Sequence, residues 1–215
     1  MKATSKRYIH DLIKRYPKLV SNESQISKTV ELLTGCFSSN HKLLVCGNGG
    51  SAADALHIVG ELMKSFTHKR FLSKCIREKL VDSKHGSLFI EKLEMPLPAI
   101  ALVEETSLST AFINDVDPAL VYSQQILGYG NAGDVLLAIS TSGNSQNVIF
   151  ASEVAKALGL QVIGLTGKTG GALKELADLC INVDEVETYK VQELHLPVYH
   201  AICLAVENEF FGDAK

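Results

Sequence analysis

Five short apolar runs alternate with longer segments of helical periodicity, and this alternation constrains the fold more than any other feature. The runs lie at 42–46, 99–103, 135–139, 161–166 and 179–183. Strands without an alternating polar face are buried on both sides, which is typical of parallel strands joined by crossover helices. The sequence therefore predicts an α/β fold: a five-stranded parallel sheet with helices on both faces. At 215 residues, 46% of them hydrophobic, the chain suits a single domain, 1–215.

The third run ends abruptly in a loop of small hydroxyl residues, Ser-Thr-Ser-Gly-Asn-Ser at 140–145, and a helical pattern follows. The start of a helix leaves backbone N–H groups unpaired and favours an anion. An ordinary N-cap would explain one serine. Four hydroxyl groups at one such point instead predict a phosphate site, formed by Ser140, Thr141, Ser142 and Ser145.

The first run ends in a glycine loop, Gly-Asn-Gly-Gly-Ser at 47–51, before a helix predicted at about 51–66. Glycines at such a turn allow positive φ and close approach of the backbone to a ligand. The loop is either a tight turn or a second wall of the same pocket, because both loops leave the carboxyl ends of strands. A dinucleotide-binding enzyme is the weakest interpretation, since no acidic residue follows at the end of a second strand.

Two segments lie outside the alternating pattern. Residues 1–40 contain two amphipathic helices, which we expect to pack on the domain or on another subunit. Residues 67–95 are dense in charge, with apolar residues at helical spacing between the charges. We interpret them as one or two surface helices inserted between core elements, either solvated or facing an oligomer partner, with a lid as the alternative.

The composition argues against several functional classes. A net charge of −3 gives no electrostatic footprint for nucleic acid. The five cysteines are scattered without a C-x-x-C pair, which favours reduced thiols and a cytoplasmic protein. No apolar stretch approaches the roughly 18 residues of a membrane span. We therefore expect neither nucleic acid nor a membrane as a partner.

Two predicted helices carry candidate metal ligands or acid–base groups. His57 and Glu61 are four residues apart, so they lie on one face of their helix. Such a pair alone is more often a surface contact. The last helix, predicted at about 190–211, adds Gln192 and His200 to an otherwise apolar sequence. Nitrogen and oxygen ligands of this mixture suit zinc.

The spacing of Gln192 and His200 raises a geometric problem. Eight residues correspond to about 12 Å along an ideal helix and about 80° around it. Either Pro197 bends the helix, or two copies of the chain contribute to one site. His195 lies between the two, and we interpret it as a packed histidine or as one that supports a ligand.

Together these motifs resemble the phosphoheptose isomerase family of the sugar-isomerase (SIS) domain superfamily. The resemblance covers roughly 40–66 and 98–211. The matching motifs are Cys46 with the glycine loop, His57 with Glu61, Asn114-Asp115, the hydroxyl loop, Leu165-Thr166-Gly167-Lys168, and Gln192-Glu193 with His195 and His200. Either loop alone would indicate only the superfamily, whereas the combination is specific.

The resemblance implies a three-layer SIS fold, a homotetramer, and active sites at subunit interfaces with one zinc ion each. It implies isomerisation of a phosphosugar, most closely of sedoheptulose 7-phosphate to D-glycero-D-manno-heptose 7-phosphate. Glu61 and His200 match the family's acid–base pair. The positions that match the metal ligands are His57, Glu61, Gln192 and His200. The positions that match the substrate-binding residues are Asn48, Gly49, Gly50, Ser51, Asn114, Asp115, Ser140, Thr141, Ser142, Ser145 and Gln192.

The expected reaction requires these residue types. Aldose–ketose isomerisation moves a proton between adjacent carbons through an enediol, and so requires a base, an acid and a group that stabilises an oxyanion. A carboxylate, an imidazole and a metal ion supply all three. We expect Glu61 to take the C–H proton and His200 to move a proton between oxygens, although the roles could be reversed.

Two features depart from the family pattern. The 67–95 segment is longer than usual, and Tyr189, with Lys190 beside it, replaces an Asp common in the family. Both leave the identity of the sugar open. The alternative function is a non-catalytic SIS protein that binds a phosphosugar or a replication-initiation partner. The complete set of four candidate ligands favours the enzyme.

Overall fold

The computed structural model describes residues 1–212 and has the predicted architecture. Its five strands are β1 (Leu43–Gly47), β2 (Ala99–Ala101), β3 (Val135–Ser140), β4 (Gln161–Thr166) and β5 (Leu179–Asn182). They form one sheet in the order β2-β1-β3-β4-β5, and every neighbouring pair is parallel. All residues of β1 and β3 are buried, which explains their lack of polar alternation. The predicted α/β fold is therefore confirmed.

Within residues 1–212, ten α-helices connect and cover these strands. They are α1 (Ala3–Arg15), α2 (Glu23–Ser38), α3 (Gly50–Met63), α4 (Lys74–Leu80), α5 (Gly86–Lys92), α6 (Thr106–Asp115), α7 (Val121–Tyr129), α8 (Gln146–Ala157), α9 (Gly171–Leu176) and α10 (Thr188–Phe211). Short 3-10 helices occupy Pro17–Asn22 and Pro118–Leu120. None of the helices in this part of the chain is long and apolar enough to cross a membrane.

The sheet separates two hydrophobic cores. Leu43 and Val45 of β1 pack on one side with α1, α2, α3 and α10. Leu44 and Cys46 point the other way and pack with α7 and α8. This division follows from the period of two along a strand, which sends successive side chains to opposite faces.

The strand order creates a crevice between β1 and β3. The chain passes from β1 to β2 on one side of the sheet and adds β3 on the other side of β1. Consequently α3 packs on one face, whereas α8, which follows β3, packs on the other. A switch of this kind opens a cleft at the carboxyl ends of the strands. The glycine and hydroxyl loops both begin there.

Some boundaries differ from the predictions. The second strand ends at Ala101 instead of residue 103, and α3 ends at Met63 instead of residue 66. Residues 67–95 contain α4 and α5. Arg70, which precedes α4 in this charged segment, nevertheless has a completely buried side chain. The cause is a long-range ion pair with Glu207 of α10.

Candidate active site

The glycine and hydroxyl loops lie side by side at the carboxyl edge of the sheet. Gly47 at the end of β1 is in register with Ile139 near the end of β3. The side-chain amides of Asn48 and Asn147 form a reciprocal pair across the gap, with N···O distances of 2.8 and 2.9 Å. The two loops therefore line one cleft between the first turns of α3 and α8.

The hydroxyl loop has the features of an anion site. Ser140 Oγ and Ser145 Oγ are 3.0 Å apart. The backbone N–H of Asn144 donates to Ser142 Oγ at 3.1 Å. Ser145 occupies the N-cap position of α8, but its hydroxyl does not cap the helix. The start of α8 thus keeps amide donors for a ligand, in the geometry that commonly binds phosphate.

The start of α9 holds this loop in place. The Leu173 N–H donates to the Gly143 carbonyl at 3.0 Å, and the Ala172 N–H donates to Asn144 Oδ1 at 3.0 Å. Gly143 has a φ of +67°, and a Cβ there would collide with the backbone of Gly170. Only glycine meets both demands, so the bend that exposes the hydroxyl groups is fixed by packing.

Gln192 lies against the glycine loop. A Cβ at Gly50, the first residue of α3, would overlap the Gln192 side-chain amide. Gly49 before it has a φ of +55°, and the Ser51 side chain after it is buried. The absence of a side chain at Gly50 therefore lets α10 bring a polar amide to the mouth of the cleft.

A second group of candidate site residues lies further along α3. His57 Nε2 is 3.2 Å from Glu61 Oε1. The His57 and His200 rings meet edge to face with centroids 4.9 Å apart. Glu61 Oε2 and His200 Nε2 are both buried and make no hydrogen bond. Lys64 Nζ lies 4.0 Å from Glu61 Oε2, too far for a hydrogen bond. Buried polar atoms in native proteins almost always have a hydrogen-bond partner, so two atoms without one beside one histidine mark this cluster as a candidate site.

Two side chains support His57 from behind. Tyr199 Oη lies 3.0 Å from His57 Nδ1 and 3.3 Å from Asp54 Oδ1. With Nδ1 occupied in this way, the Nε2 atom is directed toward Glu61, as in histidines that ligate metals. Burial, together with the nearby His57 ring, lowers the pKa of His200, so its imidazole is neutral at pH 7. Sequence reasoning missed Asp54 and Tyr199, although Asp54 is three residues before His57 and Tyr199 adjoins His200.

The described chain separates Gln192 from the other candidate ligands. Gln192 contacts Gly50, whereas His57 and Glu61 follow by seven and eleven residues, about 10 and 16 Å along the axis of α3. α10 is one continuous helix with Pro197 inside it. Within residues 1–212, no three His, Cys, Asp or Glu side chains form a group that could hold a metal ion.

The remaining predicted residues occupy different environments. Asn114 and Asp115 are exposed at the end of α6, where Asn114 Nδ2 donates to Asp115 Oδ1 at 2.6 Å. In the described part of the chain, no hydrogen bond joins this pair to either loop. His195 is fully buried, and burial lowers its pKa to about 4. A packed histidine was one of the two interpretations that its position in an apolar helix left open.

Comparison with known proteins identifies the family. The SIS domain family matches residues 7–78 and 73–167. The chain is 35% identical over 198 residues to the phosphoheptose isomerase of Akkermansia muciniphila, covering 92% of each chain. It is 40% identical over 189 residues to that of Crocosphaera subtropica, covering 88% of this chain and 84% of the relative. The phosphoheptose isomerase structure from Neisseria gonorrhoeae has 34% identity and a TM-score of 0.71, covering 96% and 94% of the two chains.

The chain belongs to the phosphoheptose isomerase family of SIS-domain proteins. The family match is divided at residues 73–78, where α4 begins. The α4–α5 segment therefore lies where the two matched parts of the SIS domain meet, and the sheet is intact on both sides of it.

The donor types of this cluster suit the zinc ion that the resemblance implies, although within residues 1–212 of one chain they do not form a group that could hold it. Imidazole nitrogen and carboxylate oxygen both ligate zinc. The two unpaired buried atoms, Glu61 Oε2 and His200 Nε2, are of these kinds and would each gain a partner from a cation. The Tyr199 contact uses Nδ1 of His57, so Nε2 is the ring nitrogen that would meet a cation.

Proposed function

We propose that this protein is a zinc-dependent isomerase that interconverts sedoheptulose 7-phosphate and D-glycero-D-manno-heptose 7-phosphate. The observation that carries the proposal is the cluster of His57, Glu61 and His200, in which two buried polar atoms lack hydrogen bonds. Family membership supports a phosphosugar isomerase by class. The hydroxyl loop at the start of α8 supports a phosphate as one end of the substrate.

The proposed reaction requires two proton transfers. The Glu61 carboxylate removes a proton from C1 of the open-chain ketose, giving an enediol, and returns it to C2. His200 moves the hydroxyl proton from the C1 oxygen to the C2 oxygen, for which a neutral imidazole is the suitable form. The transfers balance, because the product is an isomer and both side chains recover their initial state.

His57, Glu61 and His200, with Gln192, are the side chains that would hold zinc. Bound there, the ion would supply charge stabilisation for the oxyanion that develops at the substrate carbonyl. The Tyr199 hydroxyl and the Asp54 carboxylate would keep His57 oriented for this purpose.

We further propose that each active site combines two copies of the chain within a homotetramer. The separation of Gln192 from His57 and Glu61 along α3 supports this arrangement. Exposed apolar side chains on α3 and α10 also support it, because Leu56, Met63 and Leu196 lie on the helices of the cluster and are 42%, 45% and 41% exposed. Apolar residues around a functional cluster are typical of a surface that a partner covers.

The direct test is incubation of the full chain with zinc and sedoheptulose 7-phosphate in deuterium oxide. We expect deuterium to enter C1 or C2 and the aldose to accumulate, as followed by NMR. Removal of zinc with a chelator should stop both processes, and added zinc should restore them. Binding of the sugar phosphate without exchange would reject the enzyme and favour a phosphosugar-binding protein.

Mixing of two inactive variants tests the shared site. If Glu61 and Gln192 of one site come from different chains, hybrids of Glu61→Gln and Gln192→Ala contain some sites with neither change. We then expect activity well above that of either variant after subunit exchange. If both residues come from one chain, every site in the hybrids retains one of the changes, and the mixture stays inactive.

A further inference from the structure

A buried tyrosine on α7 reaches across to the glycine loop. Tyr122 is 7% exposed, and its hydroxyl donates to the Gly47 carbonyl at 2.6 Å, with Asn48 Oδ1 3.2 Å away. Burial, with a smaller contribution from the Cys46 thiol, raises the pKa of Tyr122, so the phenol remains a donor at neutral pH. A helix of the second core thereby holds the end of β1.

The amide of Asn48 is held from the other side by α8. Asn147 Oδ1 accepts hydrogen bonds from its neighbour's backbone, Val148 N–H at 3.0 Å, and from Asn48 Nδ2 at 2.8 Å. This fixes which end of the Asn147 amide is the acceptor, and its Nδ2 donates to Asn48 Oδ1 at 2.9 Å. Asn147 is therefore the donor to Asn48 Oδ1, while the single Tyr122 hydroxyl hydrogen goes to the closer Gly47 carbonyl.

Asn147 thus uses part of the hydrogen-bond capacity of Asn48 before any ligand binds. The Asn48 side-chain oxygen has two lone pairs, and Asn147 Nδ2 occupies one of them. An NH₂ group has two hydrogens, and Asn147 takes one. Asn48 is left with one N–H group that can meet a substrate oxygen, so its polarity and direction toward the cleft are both set by its neighbours.

We propose that Tyr122 and Asn147 are positioning residues that fix the glycine loop relative to the start of α8. Tyr122 acts through the Gly47 carbonyl and Asn147 through the Asn48 amide, and together they set the distance between the wall that contacts the sugar and the loop that binds the phosphate. The inference builds on the proposed function, since it assumes a ligand that spans both walls. Neither residue needs to touch the substrate for this role.

Equilibrium binding separates this role from general stabilisation. Tyr122→Phe and Asn147→Ala, in the zinc-supplemented full chain, should weaken sedoheptulose 7-phosphate binding about fivefold, the effect of one net hydrogen bond. The Kd for inorganic phosphate should change by less than about twofold, because the hydroxyl loop is intact. Tyr129→Phe is the matched control on the same helix, since its hydroxyl bonds to exposed Glu105 at 2.8 Å; both Kd values should then be unchanged.

The double variant gives an independent measurement. If Tyr122 and Asn147 both act by holding the adjacent residues Gly47 and Asn48, combining the changes should weaken sugar-phosphate binding by less than the product of the two single effects. A full product would overturn the inference, as would equal Kd values for Tyr122→Phe and Tyr129→Phe. Parallel loss of inorganic phosphate binding would also overturn it, since it would indicate a general structural defect.

Turnover distinguishes failure of this inference from failure of the proposed function. Wild-type protein that binds the sugar phosphate but does not isomerise it would reject the proposed reaction, while the binding comparison would still test Tyr122 and Asn147. Wild-type protein that binds neither sugar phosphate nor inorganic phosphate would overturn both proposals.

Discussion

Two carboxylates on neighbouring helices, Glu61 of α3 and Glu207 of α10, have opposite surroundings although Arg70 contacts both residues. The Arg70 guanidinium donates to the Glu61 backbone carbonyl at 2.9 Å and lies 2.8 Å from Glu207 Oε1. Glu207 is completely buried and accepts hydrogen bonds from Phe66 N, Thr67 N, Thr67 Oγ1, His68 N and Arg70 Nε. Glu61 has one hydrogen bond, to His57, and one oxygen with none.

The difference indicates that Glu207 stabilises the fold, whereas Glu61 is available for the reaction. The donors to Glu207 are all in residues 66–70, between the end of α3 and the start of α4, so this carboxylate joins α10 to the segment that follows α3. Arg70 also donates to the Leu62 carbonyl at 2.5 Å and so satisfies acceptors that the helix end leaves open. The Glu61 backbone is therefore held by the same arginine. Because its backbone is fixed, the Glu61 side chain can keep one oxygen free of hydrogen bonds without loss of position. That oxygen is available to a ligand.

The largest expected effect is on turnover. Glu61→Gln keeps the size of the side chain and an acceptor for His57 but removes the base. We expect kcat to fall about a thousandfold or more, with little change in phosphate binding or in the free energy of unfolding. Exposed Glu153 of α8 provides the matched control, and Glu153→Gln should leave kcat unchanged. Activity retained in Glu61→Gln would exclude Glu61 as the base.

The next largest effect is on stability. Glu207→Gln leaves the buried Arg70 guanidinium without its counter-ion, which typically costs about 3–5 kcal/mol of unfolding free energy. The matched change Glu78→Gln removes an exposed ion pair with Lys74 and should cost less than about 0.5 kcal/mol. Chemical denaturation gives both values. If kcat of folded Glu207→Gln fell as far as that of Glu61→Gln, the assignment of Glu207 to stability and of Glu61 to catalysis would be wrong.

The same pair predicts a dependence of stability on pH. Burial alone would raise the pKa of Glu207, but the amides of Phe66 and Thr67 and the Arg70 guanidinium outweigh it and lower the pKa below 4.5. Because the folded state binds this proton less readily, the stabilisation is present above about pH 4.5 and is lost as the pH falls through the folded-state pKa. Denaturation midpoints from pH 7 to pH 3 measure it. The acid decline should be shallower in Glu207→Gln, and identical slopes would count against this assignment.

The strands and the cleft could be predicted from the sequence, whereas the long-range side-chain pairs could not. Apolar runs and loop residues identify the strands and the cleft, because both depend on local periodicity and on residues next to each other in the chain. Glu207 and Arg70 gave no such signal, since their pairing joins positions 137 residues apart and Arg70 lies among surface charges. The contacts of Tyr122 and Asn147 with the glycine loop could not be predicted either, because they also join distant positions of the chain. Within one chain, Gln192 and His200 contact different turns of α3, as the helical spacing indicated.

The smallest expected effect concerns a hydroxyl that is neither buried nor unsatisfied. Ser142 Oγ is exposed and accepts the Asn144 N–H at 3.1 Å. A phosphate contact is present in both ground and transition states, so Ser142→Ala should raise KM and leave kcat within about twofold. We expect a rise of about fivefold, since other hydroxyls and the α8 amides remain. Ser39→Ala, an exposed hydroxyl beyond α2, is the control. An unchanged KM would show that Ser142 does not contact the phosphate. A large fall in kcat would instead indicate that Ser142, like Glu61, acts in the chemical step.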